Sequence, residues 1–105
     1  MKKTEDLKPN YAPVYAALYP DLCKIFQKHG YALAIHGSLA RDFDLVAIAW
    51  YEKPSSIEVV IQELISDFSI KQIGEPEEMN HGRIVYTLSI SHGECFIDLS
   101  VVKTK

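Results

Sequence analysis

Asp42 and Asp44 stand one residue apart at the head of the apolar run "DFDLVAIAW" (42–50), directly after the turn "GSLAR" (37–41). Along a strand, residues two apart project from the same side, so these two carboxylates lie roughly 6.5–7 Å apart. At that spacing they repel unless a cation lies between them. Mg2+ suits the position, because it takes oxygen ligands and keeps places free for water or phosphate oxygens. A third acid, Asp98, is flanked by Ile97 and Leu99 in "CFIDLSVV" (95–102). A carboxylate inside an apolar strand needs a partner. If that last strand lies beside 42–50, Asp42, Asp44 and Asp98 make a site able to hold two metal ions for an in-line phosphoryl displacement. Gly37 lets the backbone turn sharply and lets a ligand approach main-chain N–H groups. Ser38 caps the turn 38–41, whose N–H groups then face an incoming anion. Each feature alone also has a plainer reading: a turn between core strands, a solvated strand end with Asp42 paired to Arg41, and an Asp98 bonded to backbone.

Other side chains belong to the same question. Arg41 either clamps a phosphate or neutralises Asp42 or Asp44. Arg83 follows Gly82 and offers a guanidinium that binds phosphate bidentately, or is a surface Arg at a strand start. His36 sits at the mouth of the site, as a phosphate donor or as a core-edge histidine with a backbone partner. Trp50 stacks on a base or packs under the loop 51–56. His29 and His92 receive no role, and the histidines and cysteines lack zinc-ligand spacing.

The elements that must position these residues follow from patterning. Residues 1–10 read as a flexible polar N-terminus and 11–105 as one domain. Val14, Ala17 and Leu18, then Leu22, Ile25, Phe26 and His29, mark one kinked helix or two short ones broken near Pro20, closed by Gly30 as a left-handed cap. "YALAIH" (31–36) is a buried strand and 42–50 a second one. Ser55 and Glu58 fit a capping box, ahead of an amphipathic helix on Ile57, Val60, Ile61, Leu64, Ile65 and Phe68. "SIKQIG" (69–74) is a short edge strand, "EPEEMNHG" (75–82) a polar loop and "RIVYTLSI" (83–90) a strand. "SHGE" (91–94) is a hairpin turn before the last strand. The order is helix, strand, strand, helix, three strands. It predicts an α+β fold: one small mixed or antiparallel sheet of about five strands with two or three helices packed on it. Strands 42–50 and 95–102 are expected as neighbours, with helices near 21–29 and 56–67 on the apolar side.

Bulk properties bound the function. The chain has 105 residues, 48% apolar and 24% charged, with a net charge of −3. That suits one small globular domain with its own core and argues against extended nucleic-acid binding, which needs a basic face. No apolar run approaches a membrane span, and no apolar stretch follows the N-terminal lysines as in a signal peptide. Cys23 and Cys95 read as reduced core thiols. The expected setting is cytoplasmic, with no membrane partner.

A strand ending in Gly-Ser, an Asp-x-Asp opening the next strand and a lone Asp on a later strand resemble the DNA polymerase β-like nucleotidyltransferase superfamily. The likeness covers residues 31–50 and 94–102, and the order of elements between them agrees. The stretch is also similar to small proteins encoded by bacteriophages and prophages. The resemblance implies that Gly37 and Ser38 hold the phosphates of a nucleoside triphosphate. It implies further that Asp42, Asp44 and Asp98 hold Mg2+ while a nucleotidyl group passes to an acceptor. Arg41 and Arg83 are the expected phosphate contacts. Only Leu39, Ala40 and Arg41 separate Ser38 from Asp42, a tighter turn than that family uses. The family's extra domain for base or acceptor has no room here, so a partner protein or a homo-oligomer would supply it. The alternative is a non-catalytic interaction or nucleotide-binding module on the same fold, such as a phage accessory protein.

Overall fold

The computed structural model describes residues 10–90 and 95–102. The expected flexible N-terminus, apart from Asn10, and the expected hairpin turn at 91–94 therefore lie outside the described residues.

The order of elements is α1 (Ala12–Lys28), β1 (Tyr31–His36), β2 (Asp42–Ala49), α2 (Ile57–Phe68), β3 (Lys71–Met79), β4 (Arg83–Ser89) and β5 (Phe96–Val102). The strands form one mixed sheet in the order β1-β2-β5-β4-β3. β2 and β5 run parallel and adjacent, and the other neighbours are antiparallel. The fold is α+β, as the patterning predicts.

Alternation explains the layering. Phe43, Leu45 and Ala47 on β2, Ile97, Leu99 and Val101 on β5, and Tyr86 and Leu88 on β4 are buried on one face. They meet Tyr15, Leu22, Ile25 and Phe26 of α1 and Ile57, Val60, Ile61 and Leu64 of α2 in one core. Each fully buried side chain of this size contributes roughly 1.5–3 kcal/mol. The opposite face of the sheet carries the other parity: Asp42 and Asp44, Asp98, and Thr87 of β4. Phe43 ties the two faces together. It is fully buried, stacked on Tyr15 at 4.8 Å and met edge-on by Tyr19 at 6.2 Å. Anchoring Phe43 inward obliges its neighbours Asp42 and Asp44 to face outward.

Four local expectations need correction or resolution. α1 is a single helix that runs through Pro20. Pro20 removes the bond to the Ala16 carbonyl, but both residues are exposed, where water can serve that carbonyl. The Ser55–Glu58 capping box does not form. Ser56 is the N-cap, without a side-chain cap bond, because Ser55 bonds His29 and Glu58 accepts from Tyr86 Oη at 2.9 Å. The segment 75–79 is strand, not loop. β3 continues to Met79 with a bulge between Ile73 and Glu77. Its polar sequence reflects an edge position, where one side pairs and both faces are largely solvated. Finally, Trp50 is 68% exposed and does not pack under the loop 51–56.

Candidate functional site: an acid pair beside a glycine turn

The register of β2 and β5 places Asp44 directly beside Asp98. On the flanking strands His36 stands opposite Asp44 and Thr87 opposite Asp98. One row across the open face therefore reads His36, Asp44, Asp98, Thr87. Asp44 and Asp98 are half-buried, and Asp42 and His36 are exposed. The Asp98 carboxyl is held above the ordinary carboxylate range. Burial contributes most, then the charges of Asp42 and Asp44, then a hydrogen bond between the Asp98 and Asp44 carboxyls. The cause is physical: two carboxylates in contact cannot both ionise at low cost without a cation.

The turn 37–41 closes against the same acid. Gly37 has φ +83°, and a Cβ placed there would meet Asp44 Oδ2 at 2.8 Å. Glycine is thus required twice, by the left-handed backbone and by the carboxylate packed on it. Ser38 Oγ accepts from the Ala40 N–H at 3.3 Å, so the serine does cap its own turn. Leu39 takes φ +65°, which follows from having only three residues, 39–41, between Ser38 and the strand. α1 fastens the turn from behind. The Tyr11 N–H donates to the Ala40 carbonyl at 2.8 Å, and Tyr15 Oη donates to the Arg41 carbonyl at 2.6 Å. The Tyr15 phenol is pushed up to about 12, by burial first and Cys95 next.

The expected residues do not all gather here. Gly37, Asp44 and Asp98 come together, Ser38 follows Gly37 with its hydroxyl turned to the Ala40 N–H, and Asp42 stands one step along β2, near enough for its charge to act on Asp98. Among the described residues, no three His, Cys, Asp or Glu side chains are grouped to hold a metal ion by themselves. Arg41 is exposed and forms no ion pair with Asp42 or Asp44; the described ion pairs are Lys28–Glu63 and His29–Glu63. Its expected neutralising role is therefore not seen, since its carbonyl, not its guanidinium, is the fastened group. Arg83 pairs with Val102 at the far end of β5, roughly 13 Å along the strand from Thr87 at about 3.3 Å per residue. Thr87 was not foreseen. The only sequence signal is its parity with Arg83 and Val85 on an alternating strand.

The donor chemistry of Asp44 and Asp98 fits a hard divalent cation. Both offer oxygen, both are partly desolvated, and a cation would relieve the repulsion that raises Asp98. Mg2+ in particular is commonly held by one or two carboxylates plus phosphate oxygens, not by an all-protein cage. No helix among the described residues is long and apolar enough to cross a membrane. Neither a protein-family model nor a curated protein matches the chain.

Proposed function

We propose that the chain is a minimal nucleotidyltransferase-like domain that binds a nucleoside triphosphate together with Mg2+ and transfers its nucleotidyl group to an acceptor. The observation that carries this reading is the Asp44–Asp98 register on the open face, with Gly37 packed on the Asp44 carboxylate. Asp44 and Asp98 would hold the ion. When bound, Mg2+ would neutralise phosphate charge and polarise the phosphorus–oxygen bonds. Asp42 would add negative potential and a further ligand or water contact. Gly37 and Ser38 would present main-chain N–H groups to the phosphates. Asp98 would be a ligand of the ion or, where it is not one, the base that accepts the acceptor's proton.

A second reading is favoured by two observations. Arg41 forms no ion pair at the turn and Arg83 stands at the far end of the sheet, so the site gathers no guanidinium. That arrangement suits a nucleotide-binding or interaction module without turnover, such as a phage accessory protein. Titration calorimetry with Mg2+ and each triphosphate separates binding from its absence. A radiolabelled transfer assay then separates binding from catalysis. Triphosphate binding that needs Mg2+ and fails in Asp44→Asn supports the first reading. Binding without label transfer supports the second. No binding of either ligand overturns both nucleotide readings.

A further inference from the structure

At the end of the sheet remote from the acids, a second cluster has the connectivity of a nucleophile, a base and an orienting acid. Ser55 Oγ lies 2.8 Å from His29 Nδ1, and His29 Nε2 lies 2.8 Å from Glu63 Oε1. The parts come from three elements: the C-cap of α1, the loop before α2, and α2 itself. The Ser55 N–H also donates to the His29 carbonyl at 2.9 Å, which fixes the two residues face to face. The His29 and Glu63 side chains are only 13% and 23% exposed. Lys28 Nζ pairs with the second Glu63 oxygen.

We propose that Ser55, His29 and Glu63 hydrolyse small carboxylic esters, with a flat or aromatic group of the ester seated against Trp50 and Tyr51.

The hydrogen bonds select the tautomer. An ionised Glu63 accepts only, so His29 carries its proton on Nε2 and turns the Nδ1 lone pair to the Ser55 hydroxyl. That is the orientation a general base needs. The acid is kept in that state. The hydrogen bond from His29, and then the one from Lys28, hold the Glu63 carboxyl below its ordinary range. Ser55 stands two residues before α2, whose N-cap Ser56 gives no side-chain cap bond. Of the first-turn N–H groups of α2, that of Val59 goes to the Ser56 carbonyl and that of Glu58 to its own carboxylate, which leaves the Ile57 N–H, two residues from the nucleophile, to receive a developing oxyanion. An open cleft of about 380 Å³ adjoins the cluster, lined by Gln27, Lys53, Trp50 and Tyr51 as well as His29 and Ser55. Its size falls within the range of small-molecule sites. Trp50 and Tyr51, 68% and 66% exposed, are the largest apolar surfaces on this rim.

The step balances within the chain and water. Ser55 Oγ bonds to the ester carbonyl carbon while its proton passes to His29 Nδ1. The carbon–oxygen bond to the leaving alcohol then breaks, and that oxygen takes the proton from His29. Water, deprotonated by His29 Nδ1, attacks the acyl carbon; the bond from that carbon to Ser55 Oγ breaks, Oγ takes the proton back from His29, and the carboxylic acid leaves. Glu63 is a positioning residue: it touches the imidazole and not the ester.

The test uses the full chain, with chelator present throughout so that no divalent ion contributes. p-Nitrophenyl acetate is the substrate, and a fluorophosphonate is the covalent probe, mapped by peptide mass spectrometry. The expected result is probe on Ser55 in wild type and none in Ser55→Ala. Ester turnover should fall about 10²–10⁴-fold in His29→Gln, the usual contribution of a general base. Glu63→Gln should lower kcat more than it changes KM and alter the pH profile, and Glu63→Asp should restore part of the rate. Ser55→Cys, which keeps a nucleophile, should accumulate an acyl-thiol. Far-UV dichroism and melting curves confirm that each variant is folded. The proposal is overturned if folded wild type takes up no more probe than Ser55→Ala. Label spread over other serines, or unchanged in His29→Gln, overturns it equally, and the cluster is then only a latch between α1 and α2.

Discussion

Asp98 and Glu63 are carboxyl groups in one small domain, and their surroundings push them in opposite directions. Asp98 faces Asp44 and feels Asp42, so its pKa is raised. Glu63 receives hydrogen bonds from His29 and Lys28, so its pKa is lowered. One carboxyl is satisfied from within the chain. The other is held against like charge, on the face of the sheet the helices leave open. The difference separates an acid that donors within the chain already satisfy from an acid pair for which the proposed divalent ion would answer an electrostatic demand.

The largest expected effect tests that demand. A divalent ion bound only by the folded state adds ~2.7 kcal/mol at a hundredfold excess over its dissociation constant. In a domain of this size that raises Tm by roughly 10–20 °C. Mn2+ should exceed Mg2+ in this assay. Asp44→Asn should melt at or above wild type without metal and show no response to it. If millimolar Mg2+, Mn2+ or chelator leaves wild type unchanged and triphosphate adds nothing, the acid pair is not a cation site and the interaction module stands.

Gly37→Ala comes next. The left-handed backbone costs an alanine about 1–2 kcal/mol, and the new methyl would also displace the Asp44 carboxylate. Thermal melts should show a loss of roughly 5–15 °C, together with loss of any metal response. A variant that melts like wild type would show that Gly37 does not brace the acid.

The pH dependence of stability sharpens the contrast by its sign. The raised Asp98 favours the folded state while protonated, so its contribution is full at low pH and is lost as pH rises through its folded value. The lowered Glu63 does the reverse, with its contribution present above the unfolded carboxyl value and lost as pH falls through the folded one. Metal-free melts of Asp98→Asn and Glu63→Gln, each subtracted from wild type across acid to neutral pH, should therefore slope in opposite directions. Parallel slopes would erase the distinction. The smallest effect belongs to Lys28→Met. Its pair with Glu63 is largely exposed, exposed pairs contribute little, and His29 still holds the acid. Its melting temperature should stay close to wild type, and a large drop would mean that Lys28 and not His29 holds Glu63.

Much of this architecture is legible in the residues. The 3.6-residue period at Ile57 to Phe68 specifies α2, and alternation around Phe43 specifies both the strand and which way Asp42 and Asp44 point. The adjacency of β2 and β5 is suggested by three acids set at the head of one apolar strand and within another, though each also has a plainer reading, and the register bears the adjacency out. What escapes is what depends on distant partners. His29 meets Ser55 and Glu63 across 26 and 34 residues, so no local pattern marks the cluster. The same tertiary bond takes Ser55 away from the capping box its spacing suggests. β3 is legible as an edge strand near 69–74, but its continuation to Met79 escapes because a strand with two wetted faces has no apolar alternation to display. Arg41 and Arg83 show the converse. Their chemistry suits phosphate, but residue type does not tell which end of a strand will face the site.

β5 is the last of the described strands, yet it lies at the centre of the sheet, between β2 and β4. Until it inserts, β1-β2 and β3-β4 are separate hairpins, each with an unpaired inner edge. A nascent polypeptide emerging from the ribosome therefore cannot join them while β5 is still unmade. Two exposed edges are then open to pairing with other chains. The strand that closes this interval also carries Asp98. Completion of the sheet and completion of the acid pair are thus one event, and a polypeptide stopped short of β5 would be both prone to aggregate and unable to bind through that pair.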